Sequence, residues 1–563
     1  MRIFDKLFNT ENPKKIYVFA ILFLIMNTIK LSLFNVFLLS DSATFFDFFY
    51  KLFVSFWVSV SLLIVGLKPK RRIYFILIYS LQTIYIAANV IYYLYFNSFL
   101  HLFQMLSLVL EGFTIAKNLV IPIGIELGIV FLDLIFFLII VTNFKKFKVI
   151  ERKIKVVNII SIVVALVVML SSEIYIHIAN GDETPYHNNN GDIDETFLVS
   201  RYGTMVNEII QVSANARGDL SARLQYGENI TKEKTKEDNP NIIYIQVEAL
   251  DSSIVDYAFE GEEVMPFLKS LSEKSIYYPY TLSYHSAGGT SDSEFATINS
   301  LEPFDFFPSL KIANYDFFNS YVSKLQKAKY DTSVFHGNYS KFFSRDEVYP
   351  KMGYKHFYDL KSMKVKEAGW GASDEDLFNY TQKILEKKKT PYFAHVITMT
   401  SHEPFTNVDH VNALKSFSGI SDKDTRKYAS AINYVDKQLE DFVNKMQDDN
   451  TYIFIIGDHT SAVNSQHYKT SSYVKDNKRF EYVPLFIITP DKAVYKEEKY
   501  VASFLDISPT MLNISGIEYQ VFSDGYDLLS GEMQDSELPY RGMNYKRSEL
   551  FSEISERDKQ NNG

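Results

Sequence analysis

Residues 452–459 have the sequence YIFIIGDH, in which a run of β-branched and aromatic residues is followed directly by Gly, Asp and His. Segments of helical length separate this run from four similar ones: IIYIQV (242–247), TSVFHG (332–337), YFAHVITM (392–399) and PLFIIT (484–489). Continuous apolar strands that alternate with helices predict a mostly parallel sheet, covered by helices on both faces. We therefore predict an α/β domain over residues 241–535.

Carboxylate and imidazole side chains follow four of these strands. In chain order they are Glu248 and Asp251, His336, His402, and the adjacent pair Asp458 and His459. Ligands of such sheets bind beyond the carboxyl ends of the strands. Oxygen and imidazole ligands without sulfur suit Mn²⁺, Mg²⁺ or Zn²⁺. The pattern predicts a metal site at this edge of the sheet. GDH is its most specific motif, because adjacent Asp and His side chains can bind the same ion.

Residues 285–303, HSAGGTSDSEFATINSLEP, place two glycines before a short hydroxyl and acidic run at the start of a predicted helix. One interpretation is a capped helix, with Thr290 or Ser291 as the cap and Glu294 closing a capping box. The other is a nucleophilic hydroxyl presented where the helix dipole favours an anion. A metal at the neighbouring strand ends favours the nucleophile, since metal coordination activates a hydroxyl. Spacing alone does not decide between the two hydroxyls.

The first third of the chain is strongly apolar and aromatic. A membrane helix needs about 20 mostly apolar residues. Five segments satisfy this requirement: residues 16–39, 45–67, 73–96, 119–141 and 156–178. We predict an α-helical membrane domain with five transmembrane helices over residues 1–178.

Basic loops predict the orientation of these helices. Lys and Arg cluster at the N-terminus, in KPKRR (68–72) and in KKFKVIERKIK (145–155), while the intervening loops are nearly free of them. Positively charged loops remain cytoplasmic. The N-terminus is therefore predicted to be cytoplasmic, and five spans place the following α/β domain outside the cell.

Composition restricts the function classes further. The net charge of -9 and the pI near 5.8 argue against a nucleic-acid partner. Cysteine is absent, which excludes disulfides, thiolate metal sites and cysteine nucleophiles. Residues 179–240 are polar around an amphipathic stretch and predict a helical linker, in which SANA (213–216) is a hypothetical signal-peptidase-type cleavage site. Residues 536–563 are predicted to be a polar C-terminal tail.

Several motifs follow the predicted spans in a characteristic order. They are VEAL, GGTSDSE, FHGNYSKFFSRDEVYPKMGY, WGASDED, TMTSHEPF, GDH and LDISPTMLNISGI. Together they resemble the lipoteichoic acid synthase family, which comprises polyglycerolphosphate transferases of Gram-positive bacteria with an outer domain of the sulfatase/alkaline-phosphatase fold. The resemblance covers nearly the whole chain.

The resemblance implies a mechanism and a set of site residues. Thr290 would attack the phosphorus of phosphatidylglycerol, release diacylglycerol and hold glycerophosphate as a phosphothreonine ester. A glycerol hydroxyl at the end of the growing chain would then displace it. The implied Mn²⁺ ligands, with Mg²⁺ as the alternative metal, are Glu248, Thr290, Asp458 and His459. The implied substrate-binding residues are His336, Phe343, Arg345 and His402.

One position departs from the family pattern and leaves alternatives open. Phe343 in FFSRD stands where these synthases have Trp, so the indole N–H donor is lost and glycerol recognition can differ. The alternatives are a primase that adds the first glycerophosphate to a glycolipid anchor, or another lipid-dependent phosphoglycerol or phosphoethanolamine transferase. Phosphoethanolamine transferases often carry disulfides, which this chain lacks. An inactive binder of teichoic acid and a transporter are the alternatives outside enzyme chemistry.

Overall fold

The computed structural model describes residues 14–38, 45–66, 72–96, 125–143 and 224–562, apart from 236–238, 287, 305–306, 313–314, 390, 406, 411–416, 477 and 532. The described residues fall into two compact units, one ending at residue 143 and the other beginning at residue 224. The predicted fifth span (156–178), most of the predicted linker and the predicted cleavage site (213–216) lie outside the described residues.

Within the described residues of the N-terminal unit, four apolar helices lie at the positions of the first four predicted spans. They are α1 (Lys14–Leu38), α2 (Phe45–Gly66), α3 (Arg72–Phe96) and α4 (Ile125–Asn143). Among the described residues, only α3 is long and apolar enough to cross a membrane, through Ile73–Val90 with a mean hydropathy of 1.6. The other three hold shorter apolar stretches, of 10–17 residues. Five transmembrane helices are therefore not confirmed.

One buried lysine of the N-terminal unit is paired with an aspartate. Lys30 of α1 lies 3.2 Å from the Asp133 carboxylate of α4, through Nζ and Oδ2. The Tyr79 hydroxyl of α3 donates to the same carboxylate, at 2.8 Å from Oδ2. Charged groups in an apolar environment are stabilised by such pairing, so these three side chains link three helices of the unit.

The C-terminal unit is an α/β domain. Its strands are β1 (Glu228–Lys232), β2 (Asn241–Val247), β3 (Ala258–Phe259), β4 (Glu262–Glu263), β5 (Ile276–Leu282), β6 (Asp331–His336), β7 (His356–Tyr358), β8 (Tyr392–Ile397), β9 (Thr451–Gly457), β10 (Tyr473–Lys475), β11 (Lys478–Phe480), β12 (Tyr482–Ile488), β13 (Tyr495–Lys496), β14 (Ala502–Ser503), β15 (Tyr519–Ser523), β16 (Glu537–Tyr540) and β17 (Met543–Lys546). Its helices are α5 (Pro266–Ser272), α6 (Thr290–Asn299), α7 (Tyr321–Lys327), α8 (Arg345–Met352), α9 (Leu360–Met363), α10 (Asp374–Leu385), α11 (Asn407–His410), α12 (Lys423–Met446), α13 (Ile507–Ser515) and α14 (Arg547–Asn562).

Nine strands form the central sheet, in the order β13–β5–β12–β9–β2–β8–β6–β7, with β14 also paired to β5. Strand β2 runs parallel to β8 and β9, and β6 runs parallel to β7 and β8. Strand β12 is antiparallel to both of its neighbours, β9 and β5. The predicted mostly parallel sheet is confirmed, but the run at 484–489 belongs to this single reversed strand.

Both faces of the central sheet are covered by apolar side chains. Successive residues of β2 alternate between two buried clusters: Ile242 and Tyr244 belong to one, and Ile243 and Ile245 to the other. Alternate side chains of a strand point to opposite faces, so each cluster is the core on one side. This two-sided burial explains why the strands are continuous apolar runs.

Strand β5 was not predicted from the sequence, because of a local feature of its own residues. Its sequence, IYYPYTL, contains Pro279, and proline within a run argues against a strand inside a sheet. The register between β12 and β5 shifts between Val483 and Leu485, the interval that contains Pro484. Pro279 faces this same irregular stretch, between Tyr278 and Thr281. The bulge accommodates both prolines because no regular ladder bond is required of them there.

The polar tail predicted from residue 536 is wrong. Strands β16 and β17 form a hairpin, and α14 follows it. Leu538, Leu550 and Ile554 are buried in the main core. The segment looks polar in sequence because few of its residues face inward, yet those few complete the domain.

A buried ion pair fixes the start of α14. Arg547 and Asp506 are both fully buried, and the guanidinium donates to both carboxylate oxygens, at 2.8 and 2.7 Å. The same guanidinium donates to the Val501 carbonyl at 2.9 Å. The pair therefore joins the C-terminal helix to the loop before α13.

Replacing Arg547 with methionine is expected to lower the free energy of unfolding of the α/β domain by about 3–5 kcal/mol, because Asp506 would remain as a buried, unpaired charge. Denaturant unfolding of the full-length protein measures the change. Lys559→Met on the same helix is the control, since Lys559 is exposed. Equal effects of the two substitutions would show that the buried pair is not what anchors the helix.

Candidate active site

The predicted functional residues meet at one edge of the central sheet. Glu248 directly follows β2, and Asp458 and His459 directly follow β9, which is parallel to β2. His336 ends β6, and His402 lies in the loop after β8. Because these strands run in one direction, their carboxyl ends share an edge.

Thr290 is the first residue of α6 and is presented by a glycine turn. Gly289 precedes the helix with φ 56° and ψ -134°, a conformation that suits only glycine, and it provides no side-chain cap. A Cβ at Gly288 would lie 2.5 Å from the Asp292 carboxylate, so this position also requires glycine. The Thr290 hydroxyl contacts Glu248, with 3.1 Å between Oγ1 and Oε2.

The capping interpretation of this segment is wrong. The Ser291 hydroxyl is buried and donates to the Gly288 carbonyl at 2.7 Å. Glu294 does not close a capping box, because its carboxylate binds Arg345 and the Tyr349 hydroxyl. Only Thr290 of the two hydroxyls points its oxygen at the predicted metal ligands, so the structure separates the two candidates that spacing left open.

Glu248, Asp458 and His459 form a compact donor set, with one ligand atom from each within 4.8 Å of the others. His459 Nε2 lies 3.2 Å from Glu248 Oε1 and 3.6 Å from Asp458 Oδ2. His459 Nδ1 lies 2.9 Å from the Thr460 carbonyl, to which it donates. This bond leaves Nε2 as the nitrogen that faces the carboxylates.

The shifted pKa values of Glu248, Asp458 and His459 indicate that the two buried carboxylates favour a positive charge beside them. Burial and the neighbouring Glu248 raise the pKa of Asp458 well above its usual value. Burial also raises the pKa of Glu248, but His402 and His459 outweigh it and hold that pKa well below its usual range. Burial lowers the pKa of His459, but the neighbouring Asp458 and Glu248 carboxylates outweigh burial and raise this pKa well above its usual value. Two buried carboxylates side by side thus draw a proton or a cation to the site.

These residues fit a divalent cation. Asp458 Oδ1 accepts from the backbone N–H groups of Ala249 and His459, both at 2.8 Å, whereas its buried Oδ2 has no hydrogen-bond partner among the residues that the structure describes. An unpartnered buried carboxylate oxygen is costly unless an ion binds it. Carboxylate oxygens, one imidazole nitrogen and the Thr290 hydroxyl suit Mn²⁺, Mg²⁺ or Zn²⁺.

Two residues that the sequence analysis did not assign support His459. The ring of His285 stacks on that of His459, with centroids 4.3 Å apart and an angle of 16°. His285 Nδ1 lies 2.8 Å from Glu481 Oε2, and Glu481 also accepts from the Thr460 hydroxyl at 2.7 Å. Glu481 precedes β12, and because β12 is reversed, its start lies at the edge where the other strands end. Searching only after each strand misses such a residue.

The predicted substrate-side histidines have different environments. Burial and the Arg345 charge lower the pKa of His336 well below its usual value, so its imidazole is neutral. Its Nδ1 is buried and has no hydrogen-bond partner within the described part of the chain. His402 is half-buried, and its Nδ1 donates to the Glu403 carbonyl at 2.5 Å. Both histidines interact electrostatically with Glu248, which brings them to the same site.

Arg345 is engaged by the protein itself. Its Nε donates to both oxygens of Glu294, at 3.2 and 3.1 Å, and Nη2 also binds that carboxylate. Its Nη1 donates to the Phe342 carbonyl at 3.3 Å. The guanidinium of this predicted substrate-binding residue therefore holds a buried carboxylate of the protein here. The Phe343 ring, at a residue with φ 54°, lies 5.5 Å from the guanidinium carbon.

Comparison with known proteins agrees with this arrangement. A family model described as Sulfatase matches residues 240–517. Lipoteichoic acid synthase 1 of Bacillus subtilis (strain 168) is 30% identical over 315 residues, which is 53% of this chain and 49% of that protein. Lipoteichoic acid synthase 2 of the same strain is 25% identical over 507 residues, covering 84% of this chain and 76% of that protein. The chain thus spans about half the length of the first relative.

A solved structure resembles almost the whole chain. The integral membrane protein lipooligosaccharide phosphoethanolamine transferase A from Neisseria meningitidis matches with a TM-score of 0.60 over 91% of this chain and 96% of its own. The sequence identity is 16%, so this likeness concerns the fold alone.

Proposed function

This chain is a sulfatase-superfamily protein of the lipoteichoic acid synthase family, and on that premise we propose that it transfers glycerophosphate from phosphatidylglycerol to a glycerol hydroxyl. The product is the polyglycerolphosphate chain of lipoteichoic acid, and diacylglycerol is released. One observation carries the proposal: the Thr290 hydroxyl, at the start of a helix, contacts Glu248 beside Asp458 and His459.

The reaction consists of two displacements at phosphorus. In the first, Thr290 Oγ1 forms a bond to phosphorus, the bond from phosphorus to the diacylglycerol oxygen breaks, and that oxygen gains a proton. In the second, a glycerol hydroxyl of the acceptor attacks phosphorus, and Thr290 regains its proton as the ester to it breaks. Glu248 is placed to hold the hydrogen of the Thr290 hydroxyl, 3.1 Å away, before the first displacement.

Glu248, Thr290, Asp458 and His459 would hold the metal, for which we propose Mn²⁺, with Mg²⁺ as the alternative. When bound, the metal makes the hydroxyl more acidic and neutralises charge on the transferring phosphoryl group. The start of α6 adds a favourable dipole for the same negative charge.

Four further residues, His336, Phe343, Arg345 and His402, are proposed to bind substrate. His402 offers Nε2, since its Nδ1 is occupied by the Glu403 carbonyl. Neutral His336 can accept a hydrogen bond from a glycerol hydroxyl. Arg345, whose charge is compensated by Glu294, is proposed to contribute through its position beside Phe343, and Phe343 to supply an apolar face for the glycerol carbons.

The apolar helices are proposed to form part of a five-span membrane domain, with the N-terminus in the cytoplasm and the α/β domain outside the cell. Phosphatidylglycerol lies in the bilayer, so a covalently attached membrane domain confines the site near its donor and raises the effective concentration. Sequence similarity over 84% of the chain to a lipoteichoic acid synthase supports this organisation.

Phe343 favours a second candidate function. It stands at a glycerol-side position where an indole N–H is expected in the family, beside the Arg345 guanidinium. Loss of that donor changes which acceptor is recognised. The second candidate is therefore a primase that adds one glycerophosphate to a glycolipid anchor, or another lipid-dependent phosphoglycerol or phosphoethanolamine transferase.

The full-length protein in vesicles of fluorescent phosphatidylglycerol with Mn²⁺ tests these candidates. Diacylglycerol and a long polymer together are expected for the synthase. Diacylglycerol with a single unit on added glycolipid would identify the primase. Absence of diacylglycerol from metal-loaded protein would refute phosphatidylglycerol as the donor.

Replacing Ser291 with alanine is expected to leave diacylglycerol release within about threefold of wild type, because the lost bond to Gly288 is a neutral one that contributes about 1 kcal/mol to stability. Initial rates in the same vesicles measure this outcome. A loss as large as that from removing Thr290 would assign the nucleophile to the wrong hydroxyl.

A further inference from the structure

The segment Gly369–Trp370–Gly371, which overlaps the start of WGASDED (370–376), is fixed by hydrogen bonds near two strand ends of the site. Trp370 N–H donates to Asn407 Oδ1 at 2.7 Å, and its carbonyl accepts from Asn338 Nδ2 at 3.2 Å. A Cβ on Gly371 would lie 2.6 Å from the Gly337 carbonyl oxygen, so glycine allows the segment to approach the residue after His336. The backbone on both sides of the indole is therefore rigidly held.

The Trp370 ring stacks on the His402 imidazole, with centroids 5.0 Å apart and an angle of 21°. The His402 backbone is held as well, since its N–H donates to the Met399 carbonyl at 3.0 Å. The stack restricts the plane of the imidazole, and the Nδ1 bond to Glu403 restricts its rotation within that plane. Together the two contacts leave one orientation for Nε2.

Trp370 is poorly placed to bind a substrate directly. It is only 6% exposed, whereas His402 is half-buried. On its other side the indole meets the edge of Phe342, at 6.1 Å, and Phe342 in turn meets Phe343 at 5.1 Å. The buried indole thus packs against the half-buried rings of His402 and Phe342.

We propose that Trp370 is a positioning residue that acts through His402: its indole fixes the imidazole plane so that Nε2 faces the transferring phosphoryl group. The effect on catalysis rests on the proposed function, whereas the contact between Trp370 and His402 is a feature of the structure whatever the reaction is. Correct orientation of a catalytic group contributes to rate because the reacting geometry is narrow.

A double-mutant cycle in the full-length protein separates this role from a general structural one. Trp370→Leu is expected to lower kcat about 10- to 100-fold, the usual effect of removing a group that orients a site residue. In a His402→Ala background the same substitution should cost less than about twofold, because coupled residues are not additive. An equal loss in both backgrounds overturns the proposal. KM for phosphatidylglycerol should change less than about threefold.

A conservative variant and a tryptophan fluorescence measurement distinguish loss of the positioning role from misfolding of the protein. Trp370→Phe keeps a stacking face and should retain at least about a third of wild-type kcat, since aromatic stacking does not require the indole; activity no higher than that of Trp370→Leu overturns the proposal. Trp57→Phe leaves Trp370 as the single tryptophan of the chain. In that background, His402→Ala should change the Trp370 emission, and identical spectra overturn the stack.

The optical measurement also separates this proposal from the proposed function. It needs no substrate, so it reports on the Trp370–His402 contact even if the wild-type protein releases no diacylglycerol. Wild-type protein without diacylglycerol release, but with an emission change on His402→Ala, refutes the donor assignment and supports the contact. Normal release with unchanged emission refutes the positioning role alone.

Discussion

Replacing Thr290 with alanine is expected to abolish diacylglycerol release, with a rate loss at least on the order of 10⁴-fold, because no covalent intermediate can form without the hydroxyl. The Thr290 Oγ1 contact with Glu248 Oε2 is the one that the substitution removes. Because the residue lies at the first position of α6 and caps nothing through its side chain, the fold should be unaffected. Initial rates with fluorescent phosphatidylglycerol measure the loss.

Thr290→Ser is the matched variant, since it keeps the hydroxyl and removes only a methyl group. It should retain measurable turnover, and brief incubation with labelled donor should leave label on the protein for Thr290→Ser and wild type but not for Thr290→Ala. Label bound equally to the alanine variant would place the covalent intermediate elsewhere. Turnover by the alanine variant near that of wild type would exclude a covalent route through this residue.

Asp458→Asn is expected to remove the stabilisation of the protein by Mn²⁺ and to lower diacylglycerol release by at least about 10²-fold, the effect of losing one electrostatic stabiliser of a transition state. The buried Oδ2 is the oxygen without a hydrogen-bond partner. Asparagine keeps an oxygen for the N–H groups of Ala249 and His459 but offers an amide where the ion needs a carboxylate. Wild type should gain about 2.7 kcal/mol at a Mn²⁺ concentration 100 times its Kd.

The metal-free form of this variant provides a second readout. Burial and Glu248 raise the pKa of Asp458, so the ionised carboxylate is unfavourable beside Glu248 without a metal, a cost that the uncharged asparagine does not have. The metal-free variant should therefore unfold at a temperature no lower than that of metal-free wild type. Asp409→Asn makes the same chemical change at an exposed position and should retain the Mn²⁺ effect. A variant at Asp458 that is still stabilised by Mn²⁺ would contradict the assignment of this residue as a ligand.

The sequence predicted much of the α/β domain because buried parallel strands are continuous apolar runs. The runs at 242–247, 332–337, 392–399 and 452–458 are all strands of the sheet, within a few residues at their ends. Strand direction was harder, since a strand buried on both faces looks the same in either direction. The run at 484–489 was therefore predicted as a strand but not as the reversed β12, and β5 was missed because it contains Pro279.

The candidate site followed from the sequence only in part. Acids and histidines after parallel strands must share an edge, so the neighbourhood of Glu248, Asp458 and His459 was predictable from chain order. The ion pair between Arg345 and Glu294 was not predictable, because the two residues are 51 positions apart and no periodicity links them. Glu481 was missed because it precedes the reversed strand β12 instead of following a strand of the predicted sheet, and Trp370 was missed because it lies in the loop between α9 and α10.

The sequence by itself determined the alternation of apolar strands and helices, the charged residues that end the strands, and the glycine turn before Thr290. These features are local, since they depend on neighbouring residues, strand period and backbone freedom. The tertiary structure alone decided which hydroxyl contacts Glu248, which carboxylate oxygen lacks a partner, and which ring supports His402. Such contacts join segments distant in the chain, and they depend on distances of a few ångströms that only packing of the whole domain sets.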